Sequence, residues 1–232
     1  MPSRSPTPAQ LRSFVRRHTR LQALTDVPGV RLQLADDVTA VWRRSGELFG
    51  EPDPPLPFWA FAWSGGLAIA RHLLAHPDEA AGRRVLDLGS GSGLCAIVAA
   101  RVGAASVQAV DVDPLAEAAV VLNAAANRVR VGFSGRDPLD GEPPACDVIL
   151  AGDVSYEEPM ASRIAAWLGA AASAGVRVLV GDPGRRYLPP DLEVLATYRV
   201  RTSREIEEAE STDAVVYTIW RAPLARPRRW EP

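Results

Sequence analysis

The 232-residue chain contains no lysine; all 26 of its Lys/Arg positions are arginine. Alanine is abundant beside them, the mark of a GC-rich coding bias. Cysteine is scarce too. Cys95 and Cys146 have no CxxC partners, which excludes a disulfide framework and predicts two buried thiols in a reducing compartment. Of the three histidines, His72 and His76 share a predicted helix face, but with no third ligand nearby they make no metal site. No apolar run is long enough to span a bilayer, and the opening MPSRSPTPAQ lacks the apolar centre of a secretory signal. Neither sign of charge dominates: a net charge of −2 leaves no global footprint for nucleic acid or an anionic membrane. The expectation is a soluble, cytoplasmic monomer with no metal, nucleic-acid or membrane partner.

What is present is a 47% apolar chain, enough to bury a substantial core. TPAQLRSFVRRH predicts a helix capped by Thr7, with Pro8 in its first turn and Leu11, Phe14 and Val15 on one face. VRLQLADDVTAVWRR alternates as one or two short strands would. GEPDPPLPF is a proline-rich connector, and AWSGGLAIARHLLAHP a turn followed by a helix. From Arg83 onward strand and helix patterns alternate. RVLDLG, SVQAVDVD, VRVGFSG, CDVILAGD and VRVLVGD are separated by helical stretches, except before CDVILAGD. Continuous Val/Ile/Leu runs belong to parallel strands buried on both faces. This alternation predicts an α/β, doubly wound, mostly parallel seven-stranded sheet. The last two strands, YRVRTSREI and AVVYTIWR, have no helix between them and are expected as an antiparallel pair at the sheet edge, with the charge run EIEEAES as a solvated turn. Residues 1–56 would form an N-terminal extension packed on a domain spanning 57–222, and 223–232 a tail.

In RRVLDLGSGSGLCAI, Gly89, Gly91 and Gly93 link a strand to a helix through a loop almost without side chains, so a ligand can lie against bare backbone. A dinucleotide fingerprint needs its third glycine where Leu94 stands. The G-x-G-x-G spacing found here is common in methyltransferases that bind S-adenosylmethionine. The loop carries no basic side chain, which suits a cofactor without phosphate. Asp111, at the end of the next strand, can accept from both ribose hydroxyls. Asp137 is placed to meet the adenine amino group, and Asp87 either anchors the loop or meets the methionine amine through water.

VLDLGSGSG together with VDVDP resembles the signature of class I, seven-β-strand methyltransferases. The flanks PFWAFAWSGGLAIARHLL, AGDVSYEE and VLVGDPGR resemble the electron transfer flavoprotein β-subunit lysine methyltransferases, a group marked by a D-x-x-Y motif. The resemblance runs from about Leu56 to Arg185. It implies a Rossmann-like fold and transfer of methyl from S-adenosylmethionine to lysine of that β-subunit, or of the ribosomal stalk protein L7/L12, with S-adenosylhomocysteine as product. It implies a cofactor site of Trp63, Asp87, Gly89, Ser90, Gly91, Gly93, Asp111, Val112, Asp137 and Asp153. Asp153 and Tyr156 would line the acceptor channel, with Arg185 on the same side. Asp153 is expected to dock and orient the amine, with a general-base role left open, and Trp59 and Trp63 could instead be core on one helical turn. A chain without lysine cannot methylate itself on one. The alternatives are a small-molecule N-methyltransferase on the same fold and a non-catalytic cofactor-binding module. A nucleic-acid amino-methyltransferase would show N/D-P-P-Y/F where GDVSY stands.

Overall fold

The computed structural model describes residues 5–202 and 210–219. The charge run beginning at Glu205 falls largely outside them, and the tail 223–232 entirely. Helix α1, Pro8–His18, starts as expected: Thr7 Oγ1 accepts from Gln10 N at 3.3 Å, and Gln10 Oε1 accepts from Thr7 N at 2.8 Å. Its buried face is Leu11, Phe14 and Val15. Strands β1 (Arg20–Ala23) and β2 (Arg31–Leu34) then pair antiparallel.

The alternation in VRLQLADDVTAVWRR persists as strand only to Leu34. Val38–Phe49 is helix α2, a correction to the strands expected there. The deciding signals are local. Asp37 caps the helix, its Oδ1 accepting from Ala40 N at 2.9 Å, and Gly50 ends it in the left-handed region at φ 71°. Val41 and Ser45, four apart, give the helix its buried side.

After α3 (Ser64–Ala75), strand and helix alternate: β3 (Arg84–Leu88), α4 (Leu94–Arg101), β4 (Ser106–Val110), α5 (Pro114–Ala126), β5 (Gly132–Ser134), β6 (Val148–Gly152), α6 (Met160–Ser173) and β7 (Arg177–Asp182). The long strands β8 (Leu192–Arg201) and β9 (Ser211–Ile219) follow. The seven-stranded sheet runs β5-β4-β3-β6-β7-β9-β8, parallel from β5 to β7 and antiparallel at β9 and β8. The expected antiparallel edge pair is therefore present, with β9 inserted next to β7. From β3 the chain moves first toward β4 and later back to β6, so the sheet reverses direction beside β3. In open α/β sheets, ligands bind at the carboxyl ends of the strands at such a reversal.

The N-terminal residues share the core of the main sheet. Val27, Val30 and Leu32 are fully buried with Val107 and Val120, while Leu11, Phe14 and Val15 pack with Leu115, Ala119 and Leu122 of α5. Fully buried Asn123 ties them to the glycine loop. Its Oδ1 accepts from Gln33 N at 2.7 Å and its Nδ2 donates to Ser92 O at 2.9 Å. Cys95 is buried and Cys146 half-buried, both as free thiols. Among the described residues no helix is long and apolar enough to cross a membrane, and no group of three or more His, Cys, Asp or Glu could hold a metal ion.

Candidate active site

The loop after β3 turns through three glycines with left-handed backbone, Gly89 at φ 63°, Gly91 at 48° and Gly93 at 79°. Larger residues adopt that conformation at a cost. At Gly93 space is also short: a Cβ there would stand 3.0 Å from Val120 Cγ2, so this glycine lets α4 start against α5. Gly93 has that packing role and is not among the residues lining the cavity described next.

That cavity, about 930 Å³, opens at the carboxyl ends of β3, β4 and β6. Asp87, Gly89, Ser90 and Gly91 form its floor, and Asp111 and Val112 border it, Val112 being 67% exposed. Asp87 anchors the loop: its Oδ2 accepts from Ala96 N at 2.9 Å in the first turn of α4. Burial, reinforced by the Asp111 charge and opposed by that N–H, pushes its carboxyl up to about 7. Asp111 is less free than its sequence position suggests. Its Oδ2 accepts from Gly91 N at 2.8 Å and its Oδ1 from Asp113 N at 3.0 Å, and burial still raises its pKa against these bonds. Asp137 also lines the cavity, but its Oδ1 accepts from Leu139 N at 2.9 Å and its Oδ2 lies 3.7 Å from Arg163.

Asp153 stands directly after β6 with φ 57°, a conformation rare for a non-glycine residue and typical of functional positions. The Ser-Gly-Gly start of α3 holds its carboxylate: Gly66 N donates to Oδ2 at 3.0 Å and Ser64 Oγ to Oδ1 at 3.4 Å. Gly65 permits this, since any Cβ there would collide with the backbone of Gly181 and with Asp153 itself. Arg185 Nη2 donates to Oδ1 at 2.6 Å. Burial, only partly offset by Arg185, leaves the Asp153 carboxyl at about 6. Tyr156 lines the same side, its ring 5.1 Å from that of Phe58, and Trp63 stacks edge-on to Phe58 at 5.6 Å while donating its Nε1–H to Phe58 O at 2.9 Å. Trp59 and Trp63 do not share a helical turn. Trp59 sits in the short 3₁₀ turn Phe58–Ala60, and Trp63 is the N-cap of α3.

Several lining residues went unread as site residues in the sequence, Asp113, Phe58 and Ser45 among them. Asp113 caps α5, its Oδ1 accepting from Leu115 N at 2.7 Å, and burial raises its pKa to about 6. An aspartate followed by proline at a helix start signals a cap and says nothing of a ligand site. Phe58 and Ser45, which bring the N-terminal residues to the cavity wall, carry no spacing that sequence alone could read.

The donor set fits S-adenosylmethionine, a cation at its sulfonium and amine. Asp87, Asp111, Asp113 and Asp153 all have raised pKa values, and among the described lining residues Arg185 is the one base. Such a lining attracts cations and repels a dinucleotide's diphosphate. Trp59 Nε1 and Ser90 Oγ are also buried without a hydrogen-bond partner among the described residues, and both residues line the cavity. Unpaired buried donors at a cavity wall are groups a ligand can satisfy.

Comparison with known proteins agrees with this chemistry. Residues 71–152 match the ribosomal protein L11 methyltransferase (PrmA) family. The electron transfer flavoprotein beta subunit lysine methyltransferase of Xenopus laevis is 36% identical over 215 residues, covering 90% of this chain and 86% of that one. Its Danio rerio counterpart is 38% identical, covering 75% and 68%. A Pyrococcus horikoshii structure described as a candidate RNA methyltransferase shares the fold, with TM-score 0.54 and 14% identity over 72% of this chain and 88% of that one. The likeness to the Xenopus protein extends across both the glycine loop and the residues around Asp153, and the chain belongs to the electron transfer flavoprotein β-subunit lysine methyltransferase family of S-adenosylmethionine-dependent enzymes.

Proposed function

We propose that this protein methylates lysine side chains of the electron transfer flavoprotein β-subunit. The observation that carries the chemistry is Asp153, a strained, buried carboxylate beside the glycine loop. The substrate is the one named for relatives that match most of the chain. When bound, S-adenosylmethionine supplies an electrophilic methyl that an amine lone pair takes, leaving S-adenosylhomocysteine.

The chain's own residues divide the remaining work. The backbone of Gly89 and Gly91 gives the cofactor a flat floor, Asp87 faces its positive end, and Asp111 offers the second lone pair of each oxygen to ribose hydroxyls. Val112 flanks the base and Asp137 receives its amino group. Phe58, Trp63 and Tyr156 surround the aliphatic stem of the incoming lysine, and Asp153 accepts an N–H from its amine, orienting the lone pair. Alignment of this kind accounts for several kcal/mol of a barrier, on the order seen in intramolecular reactions. Residues 5–56 supply the outer wall through Ser45, Phe49 and Leu56. The enzyme works as a monomer, and its separate free thiols suit a reducing, cytoplasmic setting.

A ribosomal substrate, L7/L12 included, is the second reading. It draws on the match to the ribosomal protein L11 methyltransferase family, which covers the loop and β4 but not the wall at 45–58. Incubating purified β-subunit or purified L7/L12 with the enzyme and S-adenosylmethionine, followed by intact-mass measurement, separates the two. Methyl additions confined to β-subunit lysines are expected. Methylation of L7/L12 alone would replace the first reading with the second.

A further inference from the structure

Asp153 raises a problem that its geometry also answers. A carboxylate that orients an amine will bind the ammonium form more tightly than the neutral one, yet only the neutral amine has a lone pair to donate. The sequence GDPGR resolves this locally. Asp182, fully buried at the end of β7, accepts from Gly184 N at 2.7 Å and Arg185 N at 2.6 Å. Gly184, at φ 94°, reverses the chain, and Arg185 returns to the cavity with its guanidinium 2.6 Å from Asp153 Oδ1. The arginine is held at both ends, through its backbone by Asp182 and through its guanidinium Nη2 by Asp153. Both Arg185 and Asp153 line the cavity.

We propose that Arg185 is a positioning residue that offsets the charge of Asp153 in place, so that the acid orients the lysine amine without trapping it as an ammonium. The inference rests on the lysine-methylating function proposed above. A fixed cation beside the acceptor favours the neutral amine. The ε-ammonium passes its proton to solvent at the cavity mouth, and the neutral amine then donates one N–H to Asp153 while its lone pair stays free. Asp153 keeps capacity for that bond, because each carboxylate oxygen has two acceptor positions and those in use are taken by Arg185, Gly66 N and Ser64 Oγ. The other titratable groups facing Asp153 are Asp182 on β7 and the Cys95 thiol on α4, whose own pKa burial raises well above its ordinary value. Arg185 is the cation of this set.

Two readouts test the proposal. The first needs neither cofactor nor turnover: carbon-detected NMR titration of the Asp153 carboxyl in the wild type, Arg185→Gln and Arg185→Lys. Replacement by glutamine is expected to move the titration up by about one pH unit or more, and lysine, which keeps the charge without the fork, to give a smaller shift. An unmoved titration in Arg185→Gln overturns the proposal, and Arg185→Met, which also removes the charge, decides the matter should the glutamine variant not fold. The second readout is the pH profile of kcat on the β-subunit. In Arg185→Gln the rising limb is expected about one unit further alkaline, with cofactor affinity unchanged and partial rescue by lysine. Equal loss at every pH would give Arg185 a merely structural role and overturn the proposal. A wild type that leaves the β-subunit unmodified refutes the substrate assignment, while the carboxyl titration still decides whether Arg185 sets the charge of Asp153.

Discussion

Carboxylates drawn wholly or partly out of solvent occur at both ends of the central sheet, and they are treated in opposite ways. At the amino end, before β3, Glu79 receives the Arg177 fork, with Nη2 at 2.7 Å and Nε at 3.0 Å, while Arg177 Nη1 donates to Thr218 Oγ1 at 3.0 Å. His72 and this fork draw the Glu79 carboxyl down to about 2 against the effect of burial. His72 Nε2 stands 4.0 Å from Glu79 Oε1, beyond hydrogen-bond reach, so the fork is the tighter hold. At the carboxyl end, Asp87, Asp113 and Asp153 are raised to between about 6 and about 7 because burial outweighs their partners. A carboxylate whose partners are complete holds the fold together. Desolvated acids grouped around a cavity leave a charge for a ligand to meet.

The largest effect expected from disturbing this contrast is at Asp153. Asp153→Asn keeps the shape and removes the charge, and single-turnover methylation of the β-subunit should fall about a hundredfold, the scale of a misplaced reacting group. Cofactor affinity should fall far less, since Asp87, Asp111 and the glycine loop remain; near-normal turnover would remove Asp153 from the chemistry. Asp111→Asn comes next. It weakens charge-assisted bonds to the ribose and should lower S-adenosylhomocysteine affinity about tenfold by calorimetry. Because Asp111 also holds the N–H groups of Gly91 and Asp113, the variant should melt at a lower temperature as well.

Glu79→Gln probes the other end. It should cost about 1 kcal/mol of stability, discounted for the partly exposed pair, and leave cofactor affinity unchanged. A depressed carboxyl pKa stabilises the fold above its ordinary value and loses that contribution as pH falls. The wild type should therefore lose Glu79's share as pH falls from the ordinary glutamate value of 4.5 to about 2, and the variant should lack that step in acid denaturation. The smallest effect belongs to the rim: Val112→Ala removes two methyl groups from a residue 67% exposed and should change cofactor affinity by less than about threefold. A larger loss would mean that Val112 is covered when ligand binds.

The parallel strands, the glycine loop and the D-x-x-Y position were legible because each rests on local rules: unbroken apolar runs, residues with freedom at positive φ, and a carboxylate at a strand end. Helix α2 was not, because ADDVTAV satisfies a two-residue period as well as a helical one and only the Asp37 and Gly50 caps decide between them. The wall formed by Ser45 and Phe58 depends on contacts between distant segments, which leave no periodic trace. The site residues came from motifs, yet their bonds did not. Nothing in VDVD says that Asp111 already holds two backbone N–H groups, and nothing in GDPGR says that Arg185 turns back onto Asp153.

The most direct test of the contrast between the two ends is calorimetric titration of the wild type with S-adenosylmethionine from about pH 5 to about pH 8, compared with Asp87→Asn. A carboxyl raised in the fold stabilises the free protein below the ordinary aspartate value of 3.8 and loses that contribution as pH rises through about 7, so the free enzyme carries unfavourable charge at the upper end of that range. A cation that meets this charge releases protons on binding. Affinity should rise with pH and level off above about 7, with a shallower slope in Asp87→Asn. Affinity that is flat or falls over the same range would contradict this expectation.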